Sequence, residues 1–229
     1  MAAADFSVFG HRGARGHAPE NTLKAMTWAL EAGLAWIELD VHAVEGRLVV
    51  IHDERLERTT NGSGKLRRRG LDYIRSLDAG DGERVPFLEE VLDLVDKRLK
   101  INIELKGRGT ARLTARVLDE YVTRRGWHWD DFMVSSFNLA ELRRFGRLVP
   151  EVQLGVLIEK RPRTLMFADA LHATSINISL TAVDAAFVAK AHRRGYRVYV
   201  YTVNDRASSA RLKSWGVDGV FSDYPEIAG

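Results

Sequence analysis

A TIM-type (β/α)8 barrel, an α/β fold of eight parallel strands, is what this sequence predicts, and three observations predict it. Short apolar runs suited to buried strands recur eight times, helical spacing fills most intervals between them, and the 229 residues fall near the roughly 250 such a barrel occupies.

In order, the runs cover 6–10, 35–41, 101–105, 131–135, 152–157, 174–178, 197–203 and 217–222. Leu23, Met26 and Leu30 repeat with helical period before the second run, Val91, Leu92 and Val95 before the third, and Leu113, Val117 and Leu118 before the fourth. Gly33, Gly126, Gly195 and Gly216 end periodic segments ahead of strands, where a helix C-terminus favours a residue tolerant of positive φ. The βαβα alternation fits a closed barrel better than its alternative, a doubly wound open sheet.

Two stretches depart from the alternation. HAVEGRLVVIHD at 42–53 predicts that the second strand turns at Glu45-Gly46 into a short returning strand. Residues 54–85, rich in Gly, Arg and Asp and containing TTNGSG, predict a small excursion after strand 2, lying over the active face. Beyond Val220 nine residues remain, too few for a full eighth helix. With no linker or low-complexity tract, residues 1–229 read as a single domain.

Composition narrows the function classes. A net charge of +3 within 28% charged residues implies no nucleic-acid partner, and Arg67, Arg68 and Arg69 read as solvated surface placed to steer anionic substrates. With no cysteine, disulfides and thiolate metal sites are excluded, so any metal needs oxygen or imidazole ligands. The N-terminal MAAADFSVFGHRG lacks the pattern of a signal peptide, and no apolar run reaches the ~18 residues of a membrane span. The expectation is a soluble, cytoplasmic protein without stable membrane association, its oligomeric state left open.

Strand alternation places the chemistry. In 35–41, Ile37, Leu39 and Val41 face the helices while Trp36, Glu38 and Asp40 face inward; in 101–106, Asn102, Glu104 and Lys106 face inward. Three carboxylates inside a barrel repel one another and need protons, Arg or Lys partners, or a hard divalent cation. His11 after the first strand and His52 at the end of the hairpin face the same mouth, offering a general acid and a general base beside that cluster. Arg12 and Lys106 add positive charge suited to a phosphate. His42 shares the inward face of Asp40 but is left out of the ligand set, and Glu20 and Asn21 are explained as residues of a helix start.

HRG at 11–13, PENT at 19–22, ELDV at 38–41, IHD at 51–53, LERTTNGSG at 56–64, NIELK at 102–106, YTVN at 201–204 and GVDGVFSDYP at 216–225 together resemble the glycerophosphodiester phosphodiesterase family over nearly the whole chain. The resemblance implies that Glu38, Asp40 and Glu104 ligate one divalent cation, Mg²⁺ or Ca²⁺, that His11 and His52 are the acid/base pair, and that Arg12 and Lys106 contact phosphate. It implies hydrolysis of a small-molecule glycerophosphodiester to sn-glycerol 3-phosphate and an alcohol through a cyclic glycerol phosphate. Tyr201 stands where the family commonly has tryptophan and His17 where an aromatic or aliphatic residue is usual. Tyr201 and Phe137 are expected to form an aromatic wall for substrate, with core packing as the alternative. A lysophospholipase D on the same barrel and a non-catalytic phosphate-ester binding module are the competing functions.

Overall fold

The structure, a computed structural model, describes residues 6–228. Its strands are β1 (Ser7–Gly10), β2 (Trp36–Val44), β3 (Arg47–Val50), β4 (Lys100–Leu105), β5 (Phe132–Ser136), β6 (Gln153–Ile158), β7 (Ser175–Ser179), β8 (Arg197–Tyr201) and β9 (Gly219–Ser222). All except β3 are parallel, and they follow one another round a ring from β1 through β2 and β4 to β9, which closes back onto β1 with Val8 beside Val220. The eight strands expected from the sequence are the eight staves of this barrel.

The helices are α1 (Leu23–Glu31), α2 (Leu71–Ser76), α3 (Leu88–Val95), α4 (Thr110–Arg125), α5 (Leu139–Leu148), α6 (Met166–Asp169), α7 (Ala185–His192), α8 (Arg206–Ser214) and α9 (Pro225–Ala228). α2 aside, they form the outer ring, which α6 and the four-residue α9 complete with little more than one turn each. The glycines read as helix stops take φ of 69° (Gly33), 73° (Gly126), 82° (Gly195) and 79° (Gly216).

Two faces of each strand do different work. Ile37, Leu39 and Val41 of β2 and Ile101, Ile103 and Leu105 of β4 point outward into the continuous core beneath the helices. Inside, Phe9 lies 4.6 Å from Phe221, 5.0 Å from Tyr199 and 5.1 Å from Trp36, ring to ring, so an aromatic plug fills the bottom of the barrel. Above this plug the inward residues become polar, and the β2–β4 ladder sets Glu38 beside Asn102 and Asp40 beside Glu104.

The hairpin forms as expected: Glu45 and Gly46 both take positive φ, 46° and 79°, the pattern of a tight turn whose twist matches its strands, and β3 pairs antiparallel with Val41–Val44. The excursion at 54–85 is more structured than its polar composition implies. It carries a 3₁₀ turn at Leu66–Arg68 and α2, and its Leu56, Leu66, Ile74, Leu77 and Val85 build a second apolar cluster against Val44, Val49 and Ile51. Those apolar residues are spaced singly among charges, so no periodic run announces them.

Candidate active site

At the C-terminal end of the barrel, His11, Arg12, Glu38, His52, Glu104, Lys106, Phe137 and Tyr201 line one cavity of about 270 Å³. Active sites of this fold lie at that end, where each strand delivers a side chain to a shared mouth.

The turn after β1 is built for close approach. A Cβ on Gly10 would lie 2.0 Å from the Gly13 carbonyl oxygen, and Gly13 takes φ of 91°, so HRG wraps tightly enough for the Arg12 N–H to donate to Glu38 Oε2 at 2.9 Å. The Arg12 guanidinium then reaches Glu20 at 2.6 Å and lies 3.5 Å from Asp40. Directly after β4, Lys106 lies 2.8 Å from Glu104, 3.7 Å from Asp40 and 3.1 Å from His52 Nε2. Asp40 and Glu104 therefore have Arg and Lys partners, one of the alternatives that the sequence leaves open for the cluster.

Those cations do not neutralise the cluster. One oxygen from each of Glu38, Asp40 and Glu104 lies within 4.8 Å of the other two, and all three residues are buried. Burial and the charges of Asp40 and Glu104 push Glu38 well above the usual carboxylate range. Burial and Asp40 push Glu104 up to about 7. Burial acts to raise Asp40 too, but Lys106 and Arg12 outweigh it and hold that carboxyl low. Asp40 Oδ1 is buried without a hydrogen-bond partner. A convergent, all-oxygen donor set with one orphaned lone-pair atom and two carboxyls reluctant to ionise fits a hard divalent cation.

Each histidine has its Nδ1 held by a carboxylate. His11 Nδ1 donates to Asp223 Oδ1 at 2.6 Å, and Asp223, drawn down to about 2 against its burial by His11, Asn204 and Arg15, is an ionised acceptor. Nε2 of His11 thus carries the lone pair, 4.0 Å from Glu38 Oε2. His52 Nδ1 donates to Asp53 Oδ1 at 2.5 Å, which turns its Nε2 towards Lys106. Burial lowers both imidazoles below their ordinary value, so both are neutral at pH 7.

The sequence model of the glycerophosphoryl diester phosphodiesterase family matches residues 11–227. The chain belongs to this family. A glycerophosphodiester phosphodiesterase of Caldanaerobacter subterraneus subsp. tengcongensis is 35% identical over 96% of this chain and 94% of its own length. One from Bacillus altitudinis is 35% identical over 96% of each chain. Among solved structures, an Oleispira antarctica phosphodiesterase in complex with the product sn-glycerol-3-phosphate superposes with a TM-score of 0.89 at 31% identity, covering 97% of this chain and 94% of that one. The Agrobacterium tumefaciens glycerophosphodiester phosphodiesterase gives 0.81 at 31% identity, covering 97% and 98%.

Within this family barrel, His11, Arg12, Glu38, His52, Glu104, Lys106, Phe137 and Tyr201 share the one cavity, and Asp40 is fully buried within 4.8 Å of the Glu38 and Glu104 carboxylates. Phe137, 46% exposed, meets Tyr201 edge-on at 6.0 Å and both line the cavity, Tyr201 also packing against the aromatic plug beneath it. His42 does not join them: its Nε2 donates to the His52 carbonyl at 3.0 Å and its ring lines a separate cavity. His17 stacks on Trp28 at 3.9 Å and bonds Glu226.

Glu20 and Asn21 need correction. Thr22, not either of them, caps α1, accepting from the Ala25 N–H at 3.2 Å. Asn21, at φ 60°, brackets Asp40 by donating Nδ2–H to Oδ2 at 2.9 Å and accepting the Asp40 N–H at 3.2 Å. Glu20 is a hub for Arg12 at 2.6 Å, Arg58 at 2.7 Å and Arg15 at 3.8 Å. Arg58 in turn grips Asp53 at 2.5 Å and Arg15 grips Asp223 at 2.8 Å, so one charged chain ties together the carboxylates behind both histidines. Asp53 and Asp223 were missed as site residues although each stands in a quoted motif, IHD and SDYP; an acidic residue directly following a candidate histidine is the signal that could have found Asp53.

Proposed function

We propose that this protein hydrolyses glycerophosphodiesters to sn-glycerol 3-phosphate and an alcohol, with one divalent cation, Mg²⁺ or Ca²⁺, held by Glu38, Asp40 and Glu104 and with His11 and His52 moving the protons. The observation that carries the reading is the pair of imidazoles, each with its tautomer set by a carboxylate, flanking one convergent oxygen triad.

Charge supports it. With all three carboxylates ionised, as cation binding requires, they exceed Arg12 and Lys106 by one negative charge, and a bound divalent cation would make the centre net positive and attractive to a phosphodiester. The cation would supply Lewis-acid stabilisation of the charge on the phosphoryl oxygens and the attacking hydroxyl. The chain's own groups do the rest. Arg12 and Lys106, whose positive charge Asp40 and Glu104 secure against burial, grip the non-bridging oxygens. One imidazole takes the proton of the glycerol 2-hydroxyl, whose oxygen attacks phosphorus, and the other protonates the departing alcohol, giving a cyclic glycerol phosphate. Water then opens that ring with the two roles exchanged. Both imidazoles start neutral, so the donor gains its proton as the diester's negative charge raises its pKa. Phe137 and Tyr201 form an apolar part of the cavity wall, with Lys106 Nζ 5.8 Å from the centre of the Phe137 ring.

The test is release of glycerol 3-phosphate from glycerophosphocholine by the purified protein with Mg²⁺, with Ca²⁺ and in EDTA, alongside His11→Ala and Glu104→Ala. Metal-dependent release lost in both variants is the expected result. No turnover of any glycerophosphodiester under any metal condition would sink the proposal.

A further inference from the structure

Next to the catalytic cavity, on the far side of the His42–His52 contact, lies a second cavity of about 200 Å³ lined by His42, Glu54, Lys65, Arg67, Gly107 and Arg108. Lys65, Arg67 and Arg108 form no side-chain ion pair or hydrogen bond among the described residues, and what sets them apart from other unpaired surface cations is that they share one cavity. Three cations converge there against a single carboxylate, Glu54.

His42 is the built part of this cavity. Only 7% exposed, it spends its Nε2–H on the His52 carbonyl, which leaves Nδ1 as a bare acceptor. Residue 107 is glycine, and a Cβ there would stand 3.2 Å from that Nδ1 and crowd it. The cavity thus offers acceptors for a hydroxyl, at His42 and Glu54, beside unpaired cations for an anion.

Its position relates it to the reaction. His52 and Lys106 line the catalytic cavity, while the carbonyl partner of the first and the two residues following the second line this one. We propose that the second cavity is a specificity subsite that takes the alcohol part of the substrate when that part is a polyol bearing a further anionic group, such as a second phosphate. This deepens the function proposed above and rests on it. Lys65, Arg67 and Arg108 hold the anion, and His42 accepts from a polyol hydroxyl.

The experiment compares three diesters: glycerophosphocholine, glycerophosphoglycerol, and glycerophosphoglycerol carrying a terminal phosphate. Arg67→Gln combined with Arg108→Gln is expected to lower kcat/KM for the phosphate-bearing diester roughly tenfold at low salt and to leave the other two within about twofold. Calorimetric binding of the same diesters to the Mg²⁺-loaded His11→Ala protein, with and without the two glutamines, reads the subsite without turnover, and the same selective loss is expected. An equal effect on all three, or none on the phosphate-bearing one, overturns the subsite. If inorganic phosphate alone shows the variant-dependent binding and the diester does not, the cavity is a free-anion site and the proposal falls. Absence of turnover with all three in the unaltered enzyme would instead count against the catalytic reading, leaving the binding comparison to judge the subsite.

Discussion

Replacing Glu104 by glutamine should stabilise the metal-free protein at high pH and leave it unchanged at low pH. Burial beside Asp40 raises this carboxyl from 4.5 to about 7, so the folded chain binds its proton more tightly than the unfolded chain does. The stability this provides is fully present below about pH 4.5 and is lost as pH rises through 7, with little change above. Raising the carboxyl from 4.5 to about 7 corresponds to a penalty of about 3 kcal/mol on ionising Glu104. Glutamine keeps the shape and has no proton to lose. In EDTA the variant should therefore lie within about 1 kcal/mol of the wild type near pH 5 and exceed it by about 3 kcal/mol at pH 8, or roughly 6 to 12 °C in Tm for a chain of this size. Thermal unfolding followed by circular dichroism across that range measures it. Adding Mg²⁺ or Ca²⁺ should then close the gap, because a ligand at a hundred times its Kd contributes about 2.7 kcal/mol to the wild type and much less to a variant lacking one ligand. A variant advantage of the same size at pH 5 and pH 8, or none at pH 8, would refute the reasoning.

Three further outcomes follow from the same geometry. Asp223→Asn replaces an ionised acceptor by an amide able to donate to His11 Nδ1, putting the proton on Nε2; kcat should fall by about 10²–10⁴ with metal affinity unchanged, read by steady-state kinetics and calorimetry. Asn21→Leu removes both hydrogen bonds to Asp40 and should weaken divalent metal binding by about 10- to 100-fold in a calorimetric titration. Phe9→Ala empties the centre of the aromatic plug and should cost about 3 to 5 kcal/mol in denaturant unfolding.

The barrel and its carboxylates are legible in the sequence because both rest on local periodicity. A buried parallel strand is a short apolar run, and alternation along 35–41 and 101–106 fixes which side chains share the interior; the ladder setting Asp40 beside Glu104 adds only the register. The apolar cluster of the excursion lacks that signature. Its Leu56, Leu66, Ile74, Leu77 and Val85 belong to no single helix or strand face, so only the folded loop reveals that they meet.

Glu20 and Asn21 show a different limit. Beside a helix start their residue types already have a sufficient local explanation, and Thr22 takes the local role. What they do depends on partners 19 to 38 residues away, Asp40 and Arg58, brought near by the barrel's closure and by the excursion folding back over the mouth. The same distance in sequence hides the pairing of His11 with Asp223, 212 residues apart, which joins the first strand's end to the last. Closing β9 onto β1 is therefore more than an architectural detail: it is the step that sets the tautomer of His11. A chain with every motif intact but that closure broken would keep the three carboxylates on β2 and β4 and lose the carboxylate that orients one imidazole.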